Sequence, residues 1–224
     1  MCGRFSLASD LNMLQEQFDF LMNEDFPIRY NIAPSQDVLV IGSNGHERIG
    51  KKMKWGLIPP WAKDKKIGYK MINARGETID EKVSFKKPFQ TKRCLILSDG
   101  FYEWKRTGKE KQPYRFIMKD NRPFAFAGLW EQWVQENENV SLYTCTIITT
   151  EANELTKDVH DRMPVILQEN KYDEWLDRHN NDTLKLKKLL TPYDANLMEA
   201  YPVSQIVNSP KNDIQECMTN LNSL

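Results

Sequence analysis

The sequence predicts an α+β fold: one domain over residues 1–224, built around a curved, barrel-like antiparallel sheet with helices at its periphery. Three observations lead there. Apolar runs of strand length recur along the chain, bounded by Gly, Pro, Asn and Ser. Helical periodicity is confined to a few short stretches. Strands and helices do not alternate as βαβ units do, and no repeat or low-complexity linker divides the chain.

Taken in order, residues 9–22 read as a helix. Ser9 or Asp10 can cap it, and Leu11, Leu14, Phe18 and Leu21 or Met22 share one face. Residues 30–35 form a loop ending at a proline. Residues 37–41 are a strand, 43–45 the turn of a hairpin, and a second strand runs to about residue 57. Residues 62–93 are irregular and lysine-rich, although 72–78 can open a helix. Strands follow at 93–97, 114–118, 124–130, 142–149 and 165–167. A short helical stretch follows Glu151, further helices are expected at 171–179 and 183–190, and a last strand at 203–207.

With 40% hydrophobic and 28% charged residues the chain belongs to the soluble globular class. No apolar run reaches the ~18 residues of a membrane helix, and no signal peptide is visible. Cys2, Cys94, Cys145 and Cys217 lie far apart with no CxxC pair. They read as reduced cytoplasmic thiols, with no metal site and no cofactor expected. The net charge is zero, but residues 1–115 hold 21 Lys+Arg against 14 Asp+Glu, and residues 116–224 hold 10 against 17. Such asymmetry fits a nucleic-acid surface; it equally fits two halves that intermix in one fold.

Chemistry concentrates at Cys2. Removal of Met1 leaves one residue with two nucleophiles, an amine titrating near ~7.7–8.0 and a thiol near ~8.5. Both can attack the same carbon: the amine condenses with an aldehyde, and the sulfur closes on the imine to give a thiazolidine. An internal Cys has no free amine and cannot do this. Elsewhere, Asn73 has an amide able to hold an amine in place, or it is a turn residue. Glu103, between Tyr102 and Trp104, is a general acid if the aromatics bury it, or an exposed strand residue if they do not. His160 sits in the constrained stretch His160-Asp161-Arg162-Met163-Pro164. Arg4, Arg75, Arg162 and the lysines between Lys51 and Lys66 suit phosphates. Trp55 and Trp61 suit base stacking or a core.

Eight segments occur in a fixed order: Met1-Cys2-Gly3-Arg4-Phe5, Tyr30-Asn31-Ile32-Ala33-Pro34, Trp55-Gly56-Leu57-Ile58-Pro59, Asn73-Ala74-Arg75-Gly76-Glu77-Thr78, Arg93-Cys94-Leu95, Gly100-Phe101-Tyr102-Glu103-Trp104, Ala127-Gly128-Leu129-Trp130-Glu131 and His160 through Leu167. The chain thereby resembles the SOS-response-associated peptidase (SRAP) family of abasic-site processing proteins, from Cys2 to about Asn208. Gly76 is the one departure, where relatives carry another small residue. The resemblance implies binding to single-stranded DNA, or to junctions of single and double strand, with self-removal of Met1 and a thiazolidine cross-link between Cys2 and an abasic site. It implies Cys2, Asn73, Glu103 and His160 as catalytic residues. Arg4, Arg75, Arg162, Trp55, Trp61, Asn31 and Pro34 are the implied DNA contacts. It also implies a monomer in the cytoplasm, at the nucleoid, with no membrane partner. Two other readings of Cys2 stay open on the residues alone: an N-terminal-nucleophile cysteine amidohydrolase, and a non-catalytic module for single-stranded nucleic acid.

Overall fold

Strands β9 (Phe124–Gln135) and β10 (Val140–Glu151) set the architecture of the computed structural model, which describes residues 2–135 and 140–223. They pair antiparallel from Val140↔Gln135 to Ile147↔Gly128. Next to β9 lies β6 (Arg93–Ser98), then β3 (Asp37–Ser43), then β4 (Arg48–Trp55), each antiparallel to its neighbour. β4 returns to β10 through Thr144↔Lys54 and Cys145↔Trp55, and the five strands close into a barrel. The expected barrel-like sheet is present, antiparallel at every barrel pair but this closing seam, which is parallel. The long stretch of chain between β4 and β10 supplies the crossover a parallel pair needs. Further along β10, β5 (Asn73–Arg75) also pairs in parallel.

A second, antiparallel sheet has the order β13 (Met198–Pro202), β8 (Glu110–Met118), β7 (Gly100–Thr107), β1 (Phe5–Leu7) and β2 (Arg29–Ile32). The two sheets join through aromatic rings. Phe5 lies edge-on to Trp55 at 5.1 Å and to Phe126 at 5.6 Å, and Phe101 lies edge-on to Phe126 at 6.2 Å. One cluster of buried apolar side chains spans both sheets. Two short strands, β11 (Arg162–Pro164) and β12 (Ile166–Leu167), pair with β10 and β9.

The helices are α1 (Leu11–Phe18), α2 (Val83–Thr91), α3 (Tyr172–Leu176) and α4 (Thr183–Lys187). Asp10 caps α1 by accepting from the Asn12 and Met13 amides. The helix ends before residue 22 because Asp19 turns left-handed and Leu21 pairs with the edge of β4. Residues 72–78 open no α-helix: they form β5 and a single 3-10 turn. α2 lies where an irregular, lysine-rich stretch was expected, and it accommodates Pro88 within it. The strand expected at 203–207 is displaced to β13. Ser204 caps a 3-10 turn instead, and Val203 and Val207 pack on Tyr102. No helix among the described residues is long and apolar enough to cross a membrane.

Candidate active site

β1 pairs with β7 through Phe5↔Phe101, and the Tyr102 amide donates to the Arg4 carbonyl at 2.9 Å. Continued toward the N-terminus, this register sets Gly3 opposite Glu103, close enough to the neighbouring Cys2 for the Glu103 charge to act on its thiol. Cys2 is wholly buried. Burial, and after it the charge of Glu103, push its thiol far above the ordinary value. The sequence expectation of a thiol partly ionised at neutral pH is thereby corrected. In the fold the sulfur is protonated and needs a base at the moment it reacts. Met1, whose loss would free the Cys2 amine, lies outside the described residues.

Glu103 is buried as well, and burial pushes its carboxyl up to about 7, with the charge of Asp161 adding to the effect. At neutral pH the group divides between acid and base, which is what proton transfer requires. His160 is displaced below its ordinary value, first by burial. Its Nδ1 accepts from the Arg162 amide at 3.0 Å and also lies 2.9 Å from an Asp161 carboxylate oxygen. One nitrogen cannot accept and donate at once. The lowered pKa favours the neutral ring, with Nδ1 accepting and the proton on Nε2; the exposed Asp161 becomes a partner only for the imidazolium.

Glu103 and His160 line one depression of about 450 Å³, together with Trp104, Arg106, Lys111 and Asn208. An adjoining depression of about 700 Å³ contains Asn73, Arg75, Glu77 and Arg162. The His160–Arg162 hydrogen bond joins the two. Asn73 donates to the Ile72 carbonyl at 3.0 Å, and its buried Oδ1 has no hydrogen-bond partner among the described residues. That oxygen is an acceptor awaiting a donor.

The expected DNA contacts separate by burial. Arg75 is exposed and makes no ion pair among the described residues, and Trp61 is 57% exposed. Pro34 is half-buried. Arg162, by contrast, is held by both carboxylate oxygens of Glu77 and by the Thr149 carbonyl. Arg4 is buried, donating from Nη1 to Asn31 Oδ1 at 2.9 Å and to the Val207 carbonyl at 2.5 Å. Trp55 is fully buried, with its Nε1 donating to the Ile72 carbonyl at 2.8 Å, so neither ring face is open to a base. Asn31 is also buried, and its Nδ2 donates to the Val207, Ser209 and Asn212 carbonyls. Trp55 and Asn31 therefore lie buried behind the site and line neither depression.

The SOS response associated peptidase (SRAP) family model matches residues 1–210. The chain belongs to this family. It is 56% identical over 221 residues to the abasic site processing protein YoqW of Bacillus subtilis, covering 96% of this chain and 98% of that one. It is 34% identical to the abasic site processing protein HMCES of Gallus gallus, over 97% of this chain and 77% of that one. A crystal structure of a Bacteroides thetaiotaomicron protein superposes with a TM-score of 0.89 at 28% identity, covering 98% of this chain and all of that one.

In this SRAP chain several site residues escaped the sequence reading. Trp104 was visible only as a neighbour of Glu103, although its Nε1 donates to Asn208 Oδ1 at 2.6 Å. Arg106 and Lys111 face each other across a hairpin turning at Gly108, which sits at φ +64°. The turn sequence Thr107-Gly108-Lys109 was the missed signal. Asn208 offered none, because only the fold returns it to the site.

Proposed function

We propose that the protein captures the aldehyde of an abasic site in single-stranded DNA as a thiazolidine on Cys2, once Met1 has been removed by its own hydrolytic action. The observation that carries the reading is a buried, protonated Cys2 thiol beside a Glu103 carboxyl that titrates at about 7. The names of the bacterial and vertebrate relatives, both abasic site processing proteins, support the substrate class.

The steps follow from those two groups. Hydrolysis of the Met1–Cys2 amide frees the amine. Its nitrogen adds to the aldehyde carbon, and protonated Glu103 donates to the departing hydroxyl, which leaves as water. The iminium then faces the Cys2 sulfur. Glu103, now a carboxylate, takes the thiol proton as the sulfur bonds to the carbon of the iminium, and the ring nitrogen keeps the hydrogen it already carries. The condensation releases one water, as the earlier hydrolysis consumed one, and a five-membered ring results. A single carboxyl near neutrality thus serves first as acid and then as base. The Asn73 Oδ1 fits a donor such as the Cys2 amine, and neutral His160 is placed to relay protons through Nε2. A base-free sugar enters such a site at low unstacking cost.

The test uses mature protein, with Met1 loss verified by intact mass, incubated with single-stranded DNA carrying one abasic aldehyde. A covalent adduct on a denaturing gel is expected, and its loss in Cys2→Ala with DNA binding retained. An equally strong adduct from Cys2→Ala sinks the reading. Turnover of amide substrates without DNA would favour an amidohydrolase instead.

A further inference from the structure

The β7–β8 hairpin places two cations where its own ladder disfavours them. Arg106 and Lys111 are directly opposed partners in the register. Like charges at opposed positions repel, and natural ladders put opposite charges or neutral residues there. Both side chains are exposed, and neither forms a hydrogen bond or an ion pair among the described residues. The surrounding acids do not neutralise them. Glu103 is buried, and neither Asp161 nor Glu110 forms an ion pair with them among the described residues. Both cations nevertheless line the depression that holds Glu103 and His160, and Arg106 is near enough for its charge to act on the His160 ring.

The far wall is fixed from outside the hairpin. Asn208 Oδ1 is taken by Trp104 Nε1 at 2.6 Å, which orients the amide so that Nδ2 is left with no acceptor among the described residues. The Arg4 guanidinium lies over the Trp104 ring at 5.9 Å and holds it from the other side. The depression therefore presents two uncompensated cations and an oriented amide donor, next to the reacting carboxyl. That donor set matches the oxygens of a phosphodiester.

We propose that Arg106, Lys111 and Asn208 form a phosphodiester-binding subsite that takes the backbone on one side of the reacting sugar, opposite the side served by Arg75. This rests on the abasic-site reading, and it extends the strand's path from the Asn73–Arg75 depression across Cys2 and Glu103 onto the β7–β8 hairpin. The ligand relieves the cross-strand repulsion that the hairpin otherwise carries.

The test is an equilibrium binding cycle that needs no aldehyde. Single-stranded DNA bearing a central tetrahydrofuran, an abasic mimic that cannot form an imine, is used at full length and truncated just 5′ or just 3′ of the lesion. Arg106→Gln/Lys111→Gln should bind full-length DNA more weakly and lower the log–log salt slope by about 1.4, roughly 0.7 per lost contact. That loss should vanish with one of the two truncated DNAs and persist with the other, since a removed phosphate has no contact left to lose. Asn208→Ala should show the same one-sided loss with no change in salt slope. An equal loss on all three DNAs, or no loss on any, overturns the subsite. Cross-linking of the unsubstituted protein to aldehyde-bearing DNA, measured in parallel, reads the abasic-site proposal separately.

Discussion

Arg162 grips Glu77 through two parallel hydrogen bonds, Nη1 to Oε1 at 2.5 Å and Nη2 to Oε2 at 3.0 Å. The pair spends the guanidinium's fork on protein and holds the Glu77 carboxyl below the usual range. Arg75 stands in the same depression, where its charge reaches Glu77 but it makes no ion pair among the described residues. The two arginines should therefore differ on DNA. Arg75→Ala is expected to lower the salt slope of single-stranded DNA binding by roughly 0.7, and Arg162→Ala by much less. Glu77→Gln should recover part of a full contact by releasing Arg162. Equal slopes for the two alanine variants would show that the Glu77 pair opens when DNA binds.

Glu103 sets a pH dependence with a definite sign. Its pKa is about 7 in the fold and lies in the ordinary carboxyl range in the unfolded chain. The folded state thus holds more protons between those values, and folding stability falls as pH rises through that window. Above it the full penalty is present, of order 3 kcal/mol as an upper bound. Glu103→Gln is accordingly expected to raise the melting temperature at pH 8 and to leave it nearly unchanged at pH 4. The same change should slow cross-linking ~10²–10⁴-fold, the range for a lost acid–base group. A variant that is no more stable at pH 8 would mean the carboxyl is not held at that pKa.

The fold class was legible because strand-length apolar runs at residues 37–41, 93–97, 124–130 and 142–149 became barrel strands. Its closure was not. The Thr144↔Lys54 seam joins residues far apart in sequence, and periodicity carries no information about which strand meets which. β7 was legible only as one alternative for Glu103, and its bounds were not. In the fold Asp99 accepts from Ser6 and pairs with Arg115, so the polar pair continues the sheet edge. At the site, motif order named the residue types, but burial decided their roles. Trp55 and Trp61 look alike in sequence, and one is core while the other is exposed. The Asn31 contacts with Val207, Ser209 and Asn212 depend on a C-terminal return that no local pattern announces.

That tryptophan pair gives a simple comparison. Trp55→Ala removes a fully buried ring against Phe5, together with a hydrogen bond to the Ile72 carbonyl. It should cost about 3–5 kcal/mol of stability in denaturant unfolding. Trp61→Ala should leave stability nearly unchanged and, if the ring stacks on a base, weaken single-stranded DNA binding by roughly 1–3 kcal/mol. A soluble, stable Trp55→Ala protein with a selective DNA defect would reverse these assignments.

Asn31 joins the C-terminal return to the site, and its removal should be felt through Arg4. The Asp213 carboxylate accepts from the Tyr30 and Asn31 amides at 2.6 and 2.9 Å and also takes Arg29, so residues 205–213 are fastened to β2. Asn31 itself ties three carbonyls of that return and accepts from Arg4, whose second bond goes to the Val207 carbonyl. Asn31→Ala leaves those groups buried and unpaired, at about 1–3 kcal/mol for each one that water cannot reach. The cheaper response is for residues 205–213 to lift and admit water. Hydrogen exchange should therefore accelerate at the Val207, Ser209 and Asn212 amides, while the barrel amides of β3 and β6 stay protected. Once Val207 moves, Arg4 and Asn208 lose their fixed positions, and affinity for single-stranded DNA should fall although Asn31 touches no strand. Asp213→Asn, which keeps the shape but weakens the fastening, should reproduce a smaller version of both effects. Faster exchange without any loss of affinity would show that the return is scaffold alone; lost affinity with unchanged exchange would make Asn31 a direct contact after all.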